Sequence, residues 1–350
     1  MRILTKKRVV FLSLAIALFT GVATALLVNS IISDRVIHET QERTREALNT
    51  ARWVYASKIS DIDRVIRLTS VRYVVRNAVK GKNPSFIEKD MSNLMAEEKL
   101  DFLTLIDRNG TVLFRYHNPG SSGDRISDDS FFKEALSRRG VSGTQVLLRE
   151  ALLKEGEDLA KRAVLHLVPT PKEKPTEKLE ETSGMVLKSA HPITDVDGRI
   201  LGILMGGVLL NRNYEIVDRI KHIVFKDAKY KGKEIGTATI FLGDLRISTN
   251  VLDREGHRAV GTRVMKEVEE QVLEKGLSWI QRAYVVDDWY ITAYEPIRDI
   301  QDNNVGMLYV GILESKYVVL KEKLIFLFMF GMLVSVAISC LLSFRLLKKA

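Results

Sequence analysis

Two stretches of this chain carry no charged residue. One fills residues 9–33 between Arg8 and Asp34, 25 positions, and the other fills residues 324–344 between Lys323 and Arg345, 21 positions. At about 1.5 Å of rise per helical residue they reach roughly 37 and 31 Å, enough for a hydrocarbon core of about 30 Å. The pattern predicts two transmembrane helices. Ile200–Leu210 is also apolar, but it has only 11 residues and three glycines and reads as a buried strand. Ala23-Thr24-Ala25 looks like a signal-peptidase site. The apolar run continues past it through Leu26, Leu27, Val28, Ile31 and Ile32, so an uncleaved anchor is expected.

Beyond the first stretch the apolar positions step by three or four: Leu48, Ala51, Tyr55, Ile59, Ile62, Ile66, Thr69 and Tyr73. Charged residues fill the other faces, and neither proline nor glycine occurs from Asp34 to Lys80. This predicts one helix of about 46 residues, roughly 70 Å long, capped by Gly81 and followed by Pro84. Its stripe can serve as packing against the domain or as a dimer seam.

The period then shortens to two. Phe102–Ile106 and Thr111–Tyr116 flank the turn Asp107-Arg108-Asn109-Gly110 as a hairpin. A short helix is expected over Asp129–Ser137, capped by Ser127 or Asp128, and then a strand over Val141–Leu148. Arg149–Ser183, with Pro169-Thr170-Pro171 and the charged run Lys172–Glu181, reads as a solvated loop. Strands resume over Met185–Pro192 and Arg199–Leu210, and a helix over Asn213–Phe225 leads on. The plan then recurs: a hairpin of Thr237–Leu242 and Leu245–Thr249, a helix over Val264–Glu274 ended by Gly276, and strands over Leu277–Val286, Trp289–Pro296 and Val305–Leu313. At a constant offset of 104, His191-Pro192-Ile193-Thr194-Asp195 aligns with Glu295-Pro296-Ile297-Arg298-Asp299, Gly202 with Gly306, Leu204 with Leu308 and Gly207 with Gly311. Two similar α+β domains in tandem are implied.

Charge adds orientation. Arg2, Lys6, Lys7 and Arg8 precede the first apolar stretch, and Arg345, Lys348 and Lys349 follow the second, with no acid in either flank. Positive flanks stay in the cytoplasm, so Asp34–Lys323 is expected outside. Without those seven, the net +9 falls to 46 basic against 44 acidic residues, which gives no reason to bind nucleic acid. The one cysteine, Cys340, lies inside the second span, so the outer region has no disulfide and depends on its core.

The sequence carries no catalytic or metal motif. The six histidines share no i, i+3 or i, i+4 spacing. No phosphate-binding loop, nucleophile elbow or dinucleotide glycine pattern occurs, so neither an enzyme nor a cofactor is expected. Strand alternation nominates binding residues instead. Tyr290, Thr292 and Tyr294 share one face, and Arg246 and Ser248 share one in the second hairpin. In the first repeat Arg115 and His117 share a face, and Lys188 points opposite to Leu187. Arginine beside tyrosines suits a small carboxylate, because a guanidinium holds it with two bonds. The alternative is that the aromatics are core and the charges solvated.

The segments Thr182-Ser183-Gly184-Met185-Val186-Leu187-Lys188 through Leu209–Tyr214, Gly236–Phe241 through Arg246–Asn250, and Asp288–Ile297 resemble the double Cache sensor region of bacterial histidine kinases and chemotaxis receptors. The resemblance covers nearly all of the outer region and both spans. It implies an α+β fold: two tandem PAS-like domains with antiparallel sheets on a long N-terminal helix, flanked by two transmembrane helices. The expected divisions are a tail at 1–8, a span at 9–33, helix and connector at 34–100, a membrane-distal domain at 101–210 and a connecting helix at 211–235. A membrane-proximal domain at 236–314, an exit helix at 315–323, the second span at 324–344 and a tail at 345–350 complete them. Receptors of this kind more often bind ligand in the distal repeat, which favours Arg115, His117 and Lys188. The implied protein is a homodimeric, multi-pass receptor of the bacterial inner membrane, its sensor in the periplasm or outside. It would sense a small organic anion or an amino-acid-like ligand. Such receptors continue into a HAMP linker and a kinase or methyl-accepting domain. The sequence ends at Ser343–Ala350, where that linker would begin, so the output is expected outside this chain. The alternative is a membrane-anchored binding or scaffolding protein without signalling.

Overall fold

The computed structural model describes residues 2–81, 83–137 and 139–349. Two compact units divide it, one of residues 1–43 with 313–350 and one of residues 44–312. The first unit is helical, from the start of α1 (Arg2–Ser70) and from α9 (Glu314–Lys349). Both expected spans fall within these helices, but many of their side chains, Cys340 included, lie outside the described residues. Among the described residues no helix is long and apolar enough to cross a membrane.

The second unit follows the rest of α1 with α2 (Tyr73–Lys80), a single 3-10 turn at Pro84–Ile87 and α3 (Glu88–Glu98). Next come β1 (Phe102–Asp107), β2 (Val112–Arg115), α4 (Ser130–Leu136), β3 (Val141–Leu147), α5 (Arg149–Glu155) and α6 (Glu157–Ala163). A short pair, β4 (Leu165–His166) and β5 (Glu180–Glu181), precedes β6 (Gly184–Thr194) and β7 (Ile200–Leu209). The remainder is α7 (Glu215–Phe225), β8 (Lys229–Tyr230), β9 (Lys233–Glu234), β10 (Gly236–Leu242), β11 (Leu245–Thr249), α8 (Lys266–Glu269), a π turn at Glu270–Glu274, β12 (Trp279–Val285), β13 (Asp288–Arg298) and β14 (Asn304–Leu313).

The two large sheets have the same order, β2-β1-β7-β6-β3 and β11-β10-β14-β13-β12. The register repeats as well: Ile203 pairs with Ile106, and Met307, 104 residues after Ile203, pairs with Phe241. The gapless repeat in the sequence is therefore a repeat of strand pairing. One core joins α1 to one side of both sheets. Leu48, Ala51, Tyr55, Ile62 and Ile66 meet Leu103, Leu105, Leu187 and Leu204 of the first sheet and Ala238, Ile240, Leu308 and Val310 of the second. The stripe on α1 is thus buried in its own chain and is not available as a dimer seam.

Three expectations need correction. The long helix does not run unbroken to Lys80: Arg72 is extended, at φ −63° and ψ 138°. The break falls at Val71-Arg72, just after Thr69 and Ser70, residues of modest helix propensity, where the Ser70 hydroxyl donates back to Arg67 O at 2.9 Å. Tyr73, beyond the break, is exposed. The helix at Ser130–Leu136 is capped by Asp129, which accepts from Phe132 N at 3.0 Å, rather than by Ser127 or Asp128. Finally, Arg149–Ser183 is no plain solvated loop. It opens with α5 and α6, which bury Leu152, Leu159, Ala160 and Ala163 on the first sheet. Its later part crosses to the second repeat, where Val168 N donates to Gly261 O at 2.8 Å and Lys266 N to Lys172 O at 2.9 Å.

Candidate ligand-binding site

The side of the first sheet turned away from α1 carries two separate apolar clusters. One is Phe102, Leu147, Val186 and Leu209 under α5 and α6; the other is Ile106, Ala190, Ile203 and Met205 under Phe131 and Phe132 of α4. Polar side chains from four strands fill the gap between them. Thr104 lies opposite Arg115 on one flank and Met205 on the other, and Lys188 lies opposite Gly207 and Gly143. A cavity of about 550 Å³ opens there, lined by Thr104, Arg115, Asp129, Gln145, Lys154, Glu155 and Lys188 among others. That volume lies within the range of small-molecule sites.

Both buried cations in this cavity are already held by acids. Arg115 Nε donates to Glu155 Oε1 at 2.9 Å, and its two Nη atoms donate to the two carboxylate oxygens of Asp124 at 2.7 and 3.1 Å. A further bond runs from Nη1 to Ser121 O at 3.0 Å. Burial works against the charge on Arg115, but its bonds to Asp124 and the charge of Glu155 outweigh this and raise its pKa. The bond from Arg115, helped by Lys154, holds Asp124 down at about 2. Lys188 Nζ donates to Asp129 Oδ2 at 2.8 Å and to Gln145 Oε1 at 2.9 Å, and lies 5.0 Å from the Phe131 ring centre. Burial pushes the Asp129 carboxyl up, yet the charge and hydrogen bond of Lys188 and the Phe132 N–H outweigh it and leave the pKa below the usual value. The lining as a whole sets Arg115, Lys154 and Lys188 against Asp128, Asp129, Glu150 and Glu155.

Of the residues nominated from the sequence, Arg115 and Lys188 thus meet in one cavity. His117 does not join them. β2 ends at Arg115, and His117 lies exposed beyond it, its Nε2 2.8 Å from Asp158. On the second sheet Arg246, Tyr290 and Tyr294 come together, but a β-bulge between Ile240 and Phe241 separates Ser248 from Arg246. Arg246 pairs with Phe241 and Ser248 with Ile240, so the two point to opposite faces, and Ser248 donates to Asn213 O. The Thr292 hydroxyl donates to Gln281 O at 2.8 Å. At the 104-residue offset, Ala190 and Met205 of the first sheet correspond to Tyr294 and Tyr309 of the second. Those rings lie 4.7 Å apart, centre to centre.

Asp129, Gln145, Lys154 and Glu155 are not found by sequence reasoning. A signal exists for the last two: Leu152, Leu159, Ala160 and Ala163 are spaced seven, eight and eleven residues on, one helical face. Tyr309 also escapes it, although this residue alternates with Met307 and Gly311 along one strand.

The second sheet lies in the part of the chain that matches a family model. Residues 208–324 match Single cache domain 3. The Cache match begins at the end of β7 and takes in α7 and β8–β14. No curated protein matches the sequence. Solved structures similar to this chain include the periplasmic domain of Vibrio cholerae LuxQ, with TM-score 0.44 and 12% identity over 77% of this chain and 99% of that one. The V. cholerae histidine kinase DctB sensor domain gives 0.44 and 10% over 79% and 98%. The sensory domain of the Campylobacter jejuni chemoreceptor Tlp3 with isoleucine bound gives 0.40 and 8% over 83% and 97%.

Proposed function

We propose that this chain is the input module of a membrane receptor, and that it senses a small amino-acid-like molecule in the cavity of the first sheet. The carrying observation is the charge arrangement of that cavity. Arg115 and Lys188 are engaged by Asp124, Glu155 and Asp129, so a simple anion would have to displace carboxylates already in place. Asp128, 3.4 Å from Lys133, and Glu150 at the rim offer negative charge to an ammonium group, while Lys154, which already gives one N–H to Asp124 at 3.0 Å, and the remaining N–H of Lys188 offer positive charge to a carboxylate. A zwitterion meets both. The aliphatic wall of Val146, Leu147, Leu148 and Met205 suits its side chain.

A thermal-shift screen of the purified chain against amino acids and organic acids tests this. A true ligand at a hundred times its dissociation constant adds about 2.7 kcal/mol of stability. Zwitterions are expected among the hits, and Lys154→Ala is expected to weaken them about tenfold, the loss of one exposed charge-assisted hydrogen bond. Hits confined to dicarboxylates, or to wholly apolar compounds, would overturn the assignment.

The membrane part of the reading rests on the two uncharged stretches and on exposed apolar side chains along the helices that contain them. Phe11, Phe19, Phe326, Leu327, Leu333 and Leu341 are each at least 63% exposed, which suits a lipid surface better than water. With seven positive charges in the flanks and no acid, both ends belong in the cytoplasm. Alkaline phosphatase fused after Tyr230 is expected to be active in a bacterial host, and fused after Ala350 inactive. The reverse pattern would end the receptor reading. Pairing of two copies falls to the face of α1 opposite its buried stripe, where Trp53 is exposed.

A further inference from the structure

Arg246 is one of the largest fully buried side chains in the chain, yet it is held quite unlike Arg115. Among the described residues no carboxylate forms an ion pair with it. Its Nη1 donates to the Thr262 hydroxyl, its Nε has no partner, and the Phe241 ring centre lies 5.0 Å from Cζ. Around it stand Tyr290, Tyr294 and Tyr309, the last donating to or accepting from Thr237 at 3.0 Å. Burial lowers the pKa of Arg246 and the tyrosines' partial charges only offset this in part, but an arginine remains protonated across the physiological range. A buried cation without a counter-charge is costly, and one whose guanidinium still has an unpaired N–H is poised to take an acceptor.

We propose that Arg246 is the core of a second binding site, distinct from the cavity of the first sheet, which takes a small monoanion: a halide or a short carboxylate. The guanidinium supplies the charge and the tyrosine hydroxyls supply further donors. The first sheet needs no such ion, because Asp124 and Glu155 are built into the chain there. The site also touches the segment that crosses from the first repeat. Gly261 donates to Arg246 O at 2.9 Å and accepts from Val168 N at 2.8 Å, so occupancy at Arg246 bears on the same turn that receives the crossing strand.

The test is thermal unfolding of the whole chain at constant ionic strength, in sodium chloride, bromide or acetate, with sodium gluconate as the bulky reference anion. The small anions are expected to raise Tm saturably, by about 5 °C at a hundredfold excess over the dissociation constant. Arg246→Met is expected to abolish that response, and Arg246→Lys to retain it at reduced affinity. Lys154→Ala, in the other cavity, should leave it unchanged, so that failure of this site and failure of the first are distinguishable. Bromide should give an anomalous diffraction peak beside Arg246. A Tm that follows ionic strength regardless of the anion, or an anion response that survives in Arg246→Met, would overturn the proposal.

Discussion

Replacing Asp124 with alanine is expected to lower the unfolding free energy by about 3 kcal/mol at neutral pH, because it strips the bidentate partner from an arginine that cannot reach water. Arg115 is 2% exposed, and Asp124 holds both its Nη atoms. Glu155 remains on Nε, which keeps the loss from being larger. The effect has a defined pH dependence. The folded-state pKa of Asp124 is depressed to about 2, so its contribution is fully present above the unfolded value. That unfolded value lies near about 3.9, and the contribution is lost as the pH falls from there toward the folded value. Urea unfolding of the parent and of Asp124→Ala should therefore give a constant gap above about pH 5 that closes on acidification. A gap under about 1 kcal/mol, flat with pH, would mean that Glu155 alone holds the arginine.

The second large effect belongs to two glycines related by the repeat. A Cβ added at Gly202 would collide with the carbonyl oxygen of Ile106, and one added at Gly306 with that of Phe241. Both obstacles are backbone atoms of the neighbouring strand, at equivalent places in the two sheets, and no rotamer change relieves either. Gly202→Ala and Gly306→Ala are each expected to cost about 3 kcal/mol, at the upper end for overpacking. Gly120→Ala, with nothing within 4 Å of the added atom, should stay within about 0.5 kcal/mol. Denaturant midpoints at unchanged m-value separate these outcomes. Equal, small effects at all three positions would remove the steric account of the repeat.

These glycines show why the repeat is legible in the sequence. Strand pairing fixes register, and register preserves spacing, so Gly202 and Gly306 keep a 104-residue offset although most residues around them differ. The site is only half legible. Alternation places Arg115 and Lys188 on the cavity side, where Arg115 pairs with Thr104, clear of the register shift nearer the turn, and Lys188 lies in unbroken pairing with Gly143 and Gly207. It fails for Ser248, since one bulge reverses the facing of every residue beyond it. Asp124 stands only nine residues from Arg115, but the other two acids that engage the cations are out of reach. Glu155 lies 40 residues from Arg115 and Asp129 lies 59 from Lys188, and nothing local pairs them. The break in α1 is hidden because hydrophobic periodicity continues straight through it.

α1 touches both sheets at corresponding positions. Asp63 accepts from His191 Nε2 at 2.8 Å and from the Ser189 hydroxyl at 3.0 Å, while Arg52 Nε donates to Glu295 at 2.9 and 3.0 Å. His191 and Glu295 are the same position of the two repeats, and their partners stand eleven residues apart, about 16 Å along the helix. The chemistry is inverted between them: acid on the helix and base on the sheet in one case, base on the helix and acid on the sheet in the other. A duplicated fold risks docking its copies in the wrong order during folding. Here the exchanged arrangement would set Asp63 against Glu295, carboxylate against carboxylate, and Arg52 against His191. The helix is keyed, so that each copy fits only its own lock.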